Sequence, residues 1–173
     1  EKVTPRLLSF ASRSNSNTNT NKVGDVVLFS PPAPLRDIVE SNTSGGGRTR
    51  RLSDRDLFVK RVAAGPGDLV SVNQAGQVLV NQQPSPGKRD LCDEEPLRLI
   101  ERYVKPTPNG GPGLQILPNQ VFVMGDCSSV SVDSRVWGPL DQSNIVGRPL
   151  FRIFPLNRIG GSLSLPTLND FSE

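Results

Sequence analysis

The most informative absence in this 173-residue chain is histidine, which does not occur at all. Ser-His-Asp triads, Cys-His dyads and metal sites with imidazole ligands are therefore excluded. Two cysteines are too few to complete a zinc site by themselves. Any side chain that acts as a base must then be a carboxylate, a lysine or a tyrosine.

Long apolar runs and aromatic side chains are also scarce. No stretch approaches the roughly 18 consecutive apolar residues that a membrane-spanning helix needs. The chain carries a formal charge of +3, and basic residues gather between Arg48 and Arg61, but it has only one Trp and one Tyr on which bases could stack. We interpret the basic segment as a solvated loop, and no nucleic-acid partner is expected.

Turn-forming residues, in contrast, are abundant, with 16 glycines and 16 prolines. They predict frequent turns and few long helices. Between them lie short apolar runs, several of them β-branched, which have the length of strands. The predicted strands are 26–29, 57–63, 69–72, 77–80, 120–124 and 150–154. The expected fold class is mostly β, with antiparallel sheets and short connections.

Three segments differ in composition from the rest of the chain. Residues 12–21 (SRSNSNTNTN) and 41–53 (SNTSGGGRTRRLS) are polar or glycine-rich, and we predict flexible loops there. Residues 82–118 contain seven prolines and a local acidic patch, which indicates an inserted, cap-like segment outside the main sheet. The chain as a whole, 1–173, is expected to form one domain.

Lys60 is the first candidate for a chemical role. It lies inside the apolar predicted strand 57–63, where alternation places it on the same face as Phe58 and Val62. Burial on that face would lower the pKa of the amine from about 10.4 toward about 7–8, the range useful for a general base. The competing interpretation is an edge-strand lysine whose side chain reaches water and discourages aggregation.

The second candidate is the polar stretch GDCSSVSVDSRVWGP, which follows the predicted strand 120–124. Asp133 and Arg135 are two residues apart, so an extended backbone would place them on one side together with Ser131. A hydroxyl beside a paired Asp and Arg is suited to orient a catalytic amine by hydrogen bonding. The alternative is a structural loop in which these side chains bond local backbone and Trp137 fills the core.

Taken together, these segments resemble bacterial-type type I signal peptidases. The similar motifs occur in the family's order: KVGDVVLFSPP at 22–32, FVKRVAAGPGD at 58–68, and Gly-Asp followed by SVDSRVWG within 125–138. NIVGR at 144–148 and FRIFP at 151–155 are also similar to the family. The resemblance covers most of residues 22–160 and is closest to chloroplast thylakoidal processing peptidases and their cyanobacterial relatives.

The resemblance implies a membrane-anchored serine endopeptidase with a Ser/Lys dyad and a mostly β catalytic domain of the signal peptidase I type. Within the matching motifs, Lys60 is the expected general base, Ser131 positions Lys60, and Asp133 and Arg135 support the loop. The implied partners are the signal or transit peptides of translocated preproteins, and no cofactor or metal is implied. The expected location is the lumenal or periplasmic face of a membrane. The thylakoid membrane is preferred; the bacterial plasma membrane and the mitochondrial inner membrane are alternatives.

One essential part of the family's machinery is not in the chain. The nucleophilic serine of the family belongs to a Ser-Met-x-Pro-Thr-type motif beside the membrane anchor, and no such motif occurs here. We expect the nucleophile and the anchor to lie upstream of Glu1, and residues 1–173 alone to be inactive. Ser9, Ser12 and Ser14 lack the expected neighbours and are poor substitutes.

The last motif also departs from the family's pattern. The chain has Cys127 where the family usually has the Asn of Gly-Asp-Asn, and Val130 where an Asn precedes the lysine-positioning serine. This difference motivates an alternative function, an impaired pseudoprotease or peptide-binding module that holds extended peptides by strand addition. A third alternative is a self-cleaving repressor-type domain with a Ser/Lys dyad. Such a domain would not be expected to carry the Gly-Asp and Asp-Ser-Arg-x-Trp-Gly motif of residues 125–138. Cys127 can be a packing substitute, a nucleophile or a disulfide partner of Cys92, and the sequence leaves these open.

Overall fold

The computed structural model describes residues 8–10, 21–41, 51–74, 77–85, 103–104, 113–127 and 131–152. The helices within them are α1 (Ala33–Ser41) and α2 (Ser134–Trp137), and residues 142–144 form a 3-10 turn. The strands are β1 (Leu8–Phe10), β2 (Val26–Phe29), β3 (Phe58–Ala64), β4 (Leu69–Val72), β5 (Val78–Val80), β6 (Gln83–Pro84), β7 (Leu114–Gln115), β8 (Gln120–Met124), β9 (Leu140–Asp141), β10 (Ile145–Gly147) and β11 (Pro149–Arg152).

Two antiparallel sheets and one separate strand pair organise the described residues. The larger sheet has five strands in the order β10-β2-β3-β8-β9, and the smaller has four in the order β6-β5-β4-β7. Strand β1 pairs with β11, and every neighbouring pair in the two sheets is antiparallel. The predicted mostly β, antiparallel fold class is therefore confirmed.

Strand β3 lies in the middle of the larger sheet and is paired on both sides. Opposite it on β2, Val27 faces Lys60, and on β8 Met124 faces Arg61. Burial alternates along the strand as a period of two requires, with Phe58, Lys60 and Val62 buried. The interpretation of Lys60 as an edge-strand lysine that reaches water is therefore wrong.

The larger sheet and the two helices enclose the first core cluster. Phe29 is its centre: its ring centroid lies 6.0 Å from that of Phe58 and 6.0 Å from that of Trp137. A second cluster lies between the end of β3, β8 and the smaller sheet. Its fully buried members include Ala64, Val70 and Phe122. Strand β3 thus contributes Phe58 and Val62 to the first cluster and Ala63 and Ala64 to the second, and Lys60 lies between the two residues of the first cluster.

Helix α1 is a feature that the strand and turn patterns did not predict. Its buried face consists of Leu35 with Ile38 and Val39, which are spaced at i, i+3 and i+4 and pack against the first core cluster. Pro34 lies in its first turn, where proline is tolerated because its missing N–H has no partner to lose.

The predicted strands agree with the structure at most positions. Segments 26–29, 69–72 and 120–124 coincide with β2, β4 and β8, and the others are shifted by a residue or more at an end. Residues 153–154 of the last predicted strand lie outside the described residues.

The predicted loops and insertion fall largely outside the described residues. In the loop predicted at 41–53, Ser41 ends α1 and Leu52 is buried in the first core cluster; residues 42–50 are outside the description. Residues 12–20 of the other predicted loop are also outside it. The ends of segment 82–118 form β6 and β7 of the smaller sheet, while most of its interior is not described.

Across the described part of the chain, none of the helices has the length and apolar character needed to cross a membrane.

Candidate active site

The buried amine of Lys60 meets a hydroxyl that comes from a distant part of the sequence. Lys60 Nζ donates a hydrogen bond to Ser131 Oγ at 2.8 Å, across 71 residues of chain. Only 7% of Lys60 is exposed, because β3 is covered on this face. Two of the sequence-predicted site residues are therefore in direct contact.

Gly125 makes this contact sterically possible. It follows β8 directly, and a Cβ at this position would lie 2.3 Å from Ser131 Oγ, 2.6 Å from Ser131 Cβ and 3.3 Å from Lys60 Nζ. Carbon atoms do not approach at the first two distances, so any side chain at this position would displace the serine. Gly125 is not among the site residues predicted from the sequence, because the need for glycine there follows from the close approach of Ser131 in the folded chain.

Asp133 and Arg135 form a buried ion pair beside this contact. Arg135 Nε donates to Asp133 Oδ1 at 2.9 Å and Arg135 Nη2 donates to Asp133 Oδ2 at 2.8 Å. The second carboxylate oxygen also accepts the Gly125 N–H at 3.1 Å. Arg135 Nη2 donates to the Ser131 carbonyl at 3.4 Å. The pair therefore connects the ends of the loop that carries Ser131.

The pairing of Asp133 and Arg135 was predicted from an extended backbone; the backbone is extended at Asp133 but helical from Ser134 onward. Asp133 is the N-cap of α2, and its carboxylate accepts the backbone N–H of Arg135 at 3.1 Å. This capping arrangement brings the two side chains together because the cap faces the first turn of the helix. Ser134 adds a further link, since its Oγ accepts the Val123 N–H of β8 at 3.0 Å.

A second ion pair lies next to the site on β3. Arg61 Nε and Nη2 donate to the two carboxylate oxygens of Asp126 at 2.8 and 2.9 Å, and Arg61 Nη1 donates to the Gly24 carbonyl at 2.9 Å. Alternation along β3 directs Arg61 away from the face that carries Lys60. The pair joins Asp126, the residue after Gly125, to β3. In the sequence, Arg61 is noticeable only because it follows Lys60.

Cys127 is disulfide-bonded in the structure. The chain's other cysteine, Cys92, lies outside the described residues, as does Val130. A disulfide sulfur has no thiolate with which to attack a substrate, so the interpretation of Cys127 as a nucleophile is not compatible with this state.

The serines considered as replacement nucleophiles are Ser9, Ser12 and Ser14. Ser9 lies in β1, opposite Phe151 of β11, and Ser12 and Ser14 fall outside the described residues.

Among the described residues, no group of three or more Cys, Asp or Glu side chains is arranged to hold a metal ion.

The arrangement is suited to proton transfer by an amine. The hydrogen bond to Ser131 uses one N–H of Lys60 and restricts the lone pair of the neutral amine to the two remaining directions on nitrogen. A neutral amine held in this way can accept a proton from a hydroxyl placed opposite the serine. Asp133, Arg135 and Gly125 contact Ser131 or the ends of the loop that carries it.

The sequence is similar to known proteins over most of its length. Residues 3–154 match the family described as signal peptidase, peptidase S26. The chain is 38% identical over 140 residues to a protein of Synechocystis sp. named probable signal peptidase I-1, covering 80% of this chain and 58% of that protein. It is 32% identical over 142 residues to the chloroplastic thylakoidal processing peptidase 1 of Arabidopsis thaliana, covering 82% and 35%. A crystal structure of a signal peptidase I from Enterococcus faecalis superposes with a TM-score of 0.41 at 21% identity, covering 73% of this chain and 94% of that one.

Proposed function

Since the chain belongs to the signal peptidase family, peptidase S26, we propose that it is the catalytic domain of a serine endopeptidase that uses a Ser/Lys dyad. The proposed reaction is removal of signal or transit peptides from translocated preproteins. The chain spans 58% and 35% of the lengths of the cyanobacterial and plant relatives described above. The proposal therefore concerns the activity of a longer protein that contains these residues.

The observation that carries the proposal is the hydrogen bond between buried Lys60 and Ser131. Burial removes solvation from the ammonium form of Lys60 and so favours the neutral amine that a general base requires. Ser131 accepts one N–H of that amine and fixes its orientation. Asp133 and Arg135 support the proposal as the pair that holds the loop on which Ser131 lies.

The proposed nucleophile is a serine outside these 173 residues, because the chain contains no Ser-Met-x-Pro motif. Lys60 would take the proton of that serine as its oxygen attacks the peptide carbonyl carbon. The resulting ammonium would return the proton to the leaving amine when the peptide bond breaks. Lys60 would then deprotonate a water molecule, whose oxygen attacks the acyl carbon; as the ester bond to the serine breaks, Lys60 returns the proton to the serine oxygen. Residues 1–173 alone are accordingly expected not to cleave.

The proposed substrates and location follow from the relatives. Preproteins with small residues before the cleavage site, of the A-x-A type, would be cut on the lumenal or periplasmic side of a membrane. The similarity to a chloroplastic thylakoidal processing peptidase supports the thylakoid membrane as the preferred location. The membrane anchor, like the nucleophile, would belong to the longer protein.

The test compares Lys60→Ala with Lys22→Ala in the full-length protein, using a synthetic presequence peptide as substrate. Lys22 is exposed and is distant from Ser131 in sequence, so it controls for the loss of one positive charge. We expect Lys60→Ala to lower kcat by at least about 10³-fold and Lys22→Ala to leave it unchanged. Cleavage by Lys60→Ala at the wild-type rate would overturn the mechanism. Peptide binding without cleavage by the wild-type protein would instead favour the peptide-binding module.

A further inference from the structure

Two residues of the proline-rich segment 82–118 lie against α2. The backbone N–H of Val104 donates to the Arg135 carbonyl at 3.3 Å. Helix α2 has only four residues, and the carbonyls of its last turn have few partners within the helix. Val104 therefore satisfies a carbonyl at the C-terminal end of the helix that carries Arg135.

The ring of Tyr103 covers the residue that ends this helix. Gly138 has a φ of +93° and a ψ of −171°, a conformation adopted almost only by glycine. A Cβ at Gly138 would lie 3.3–3.4 Å from three ring carbons of Tyr103. The ring thus occupies the space beside Gly138 that other residues would fill with a side chain.

These contacts hold α2 between the two core clusters. On one side Trp137, 2% exposed, belongs to the first cluster; on the other Val104, 8% exposed, belongs to the second. A helix of a single turn has almost no stability of its own. Its position is therefore set by what it packs against, and residues 103–104 supply one of those two sides.

A displacement of α2 would reach Lys60 through a short series of contacts. Arg135 donates to the Ser131 carbonyl, and Ser131 Oγ accepts the hydrogen bond from Lys60 Nζ. The tight packing of Ser131 against Gly125 leaves the serine little freedom to adjust. A shift at the end of α2 would consequently change the geometry of the amine and its contact with water.

We propose that Tyr103 is a positioning residue for Lys60. Its ring packs on Gly138 and, with the backbone of Val104, holds α2 so that Ser131 stays against the amine. The role of Lys60 as a base rests on the proposed function, but the effect of Tyr103 on the environment of Lys60 does not. The aromatic ring is the required feature, and the hydroxyl group is not.

The first experiment measures the environment of Lys60 without using activity. In the 173-residue chain, the rate of reductive methylation of Lys60 is followed by peptide mapping, with exposed Lys22 as an internal reference. We expect Tyr103→Ala to raise the rate at Lys60 about tenfold and to leave Lys22 unchanged. Tyr103→Phe keeps the ring and should remain within about twofold of wild type. Leu117→Ala is the matched control, because Leu117 is 57% exposed and Tyr103 58%.

The second experiment records kcat and KM against pH in the full-length protein. Tyr103→Ala should lower kcat about tenfold and move the acidic limb of the profile to higher pH, because a hydrated Lys60 holds its proton more strongly. Tyr103→Phe should restore both properties. A loss of stability alone would lower the melting temperature without moving the limb.

The outcomes separate this proposal from the proposed function. If the wild-type full-length protein does not cleave, the proposed function fails, and the methylation rates still decide the role of Tyr103. If Tyr103→Ala and Leu117→Ala give equal rates at Lys60, the positioning role is overturned. Should Tyr103→Ala not fold, Tyr103→Leu replaces it, and a wild-type rate at Lys60 in that variant overturns the requirement for the ring.

Discussion

Asp133 and Arg135 bind each other through two parallel hydrogen bonds of 2.9 and 2.8 Å, with side chains only 0% and 8% exposed. Arg61 and Asp126 form the same two-point pair at 2.8 and 2.9 Å, but 51% of the Asp126 side chain is exposed. The two pairs therefore share their geometry and differ in burial. This difference allows the effect of solvent on an ion pair to be measured within one fold.

Asp133→Ala is expected to destabilise the protein by about 3–5 kcal/mol, because it leaves the guanidinium of Arg135 buried without its carboxylate. Asp126→Ala should cost about 1 kcal/mol or less, because the pair is open to solvent on the Asp126 side and Arg61 keeps its hydrogen bond to the Gly24 carbonyl. Urea unfolding of the two variants, followed by tryptophan fluorescence, gives both values. Equal costs for the two substitutions would show that burial does not distinguish the pairs.

Gly125→Ala is expected to reduce kcat by about 10²-fold or more, since the new methyl group would displace Ser131 from Lys60. Gly65→Ala is the matched control: a Cβ there would meet only Asp68 Oδ2, at an ordinary 3.9 Å. Steady-state cleavage of a presequence peptide by the full-length variants measures the difference. Wild-type kcat in Gly125→Ala would contradict the close approach seen at this position.

Ser131→Ala is expected to lower kcat by about 10²-fold with little change in KM, because the amine loses the acceptor that orients it while substrate contacts remain. Ser30→Ala provides the comparison, since Ser30 Oγ is likewise in a part-buried hydrogen bond, in which it donates to the Asn144 carbonyl at 3.4 Å. A loss that appears in KM instead of kcat would assign Ser131 to substrate binding.

Trp137→Phe is expected to cost only about 1–2 kcal/mol, and Trp137→Ala about 3–5 kcal/mol. The indole Nε1 of Trp137 is buried and has no hydrogen-bond partner among the described residues, so its removal also relieves an unpaired donor. Thermal unfolding of the two variants measures the costs. Similar costs for Phe and Ala would mean that the N–H, and not the ring volume, stabilises this part of the core.

The sheet could be predicted from the sequence because its signals are local. Val26, Leu69 and Gln120 each begin a short apolar run bounded by turn residues, and these runs form strands at the predicted positions. The same period of two predicts that Lys60 lies on the face of its strand that also carries Phe58 and Val62. Neither inference requires knowledge of which strands are neighbours.

The remaining features depend on contacts between distant segments. Asp133 forms an N-cap instead of lying in an extended strand, because Gly125 and Arg135 offer donors to its carboxylate in the folded chain. The requirement for glycine at 125 arises from Ser131, which only the fold brings against it. The contact of Tyr103 with Gly138 likewise joins the proline-rich segment 82–118 to the site, and no local sequence pattern predicts this contact.

The 71 residues that separate Lys60 from Ser131 affect the stage of folding at which the contact between these two side chains can form. Pairing of Val27 with Lys60 closes a loop of 33 residues, whereas the contact with Ser131 closes one about twice as long, which adds an entropic cost of about 0.6 kcal/mol. We therefore expect a nascent or partly folded chain to carry a hydrated, protonated Lys60. On the proposed mechanism, proteolytic capability would then arise only after β8 and the loop that carries Ser131 have packed against β3.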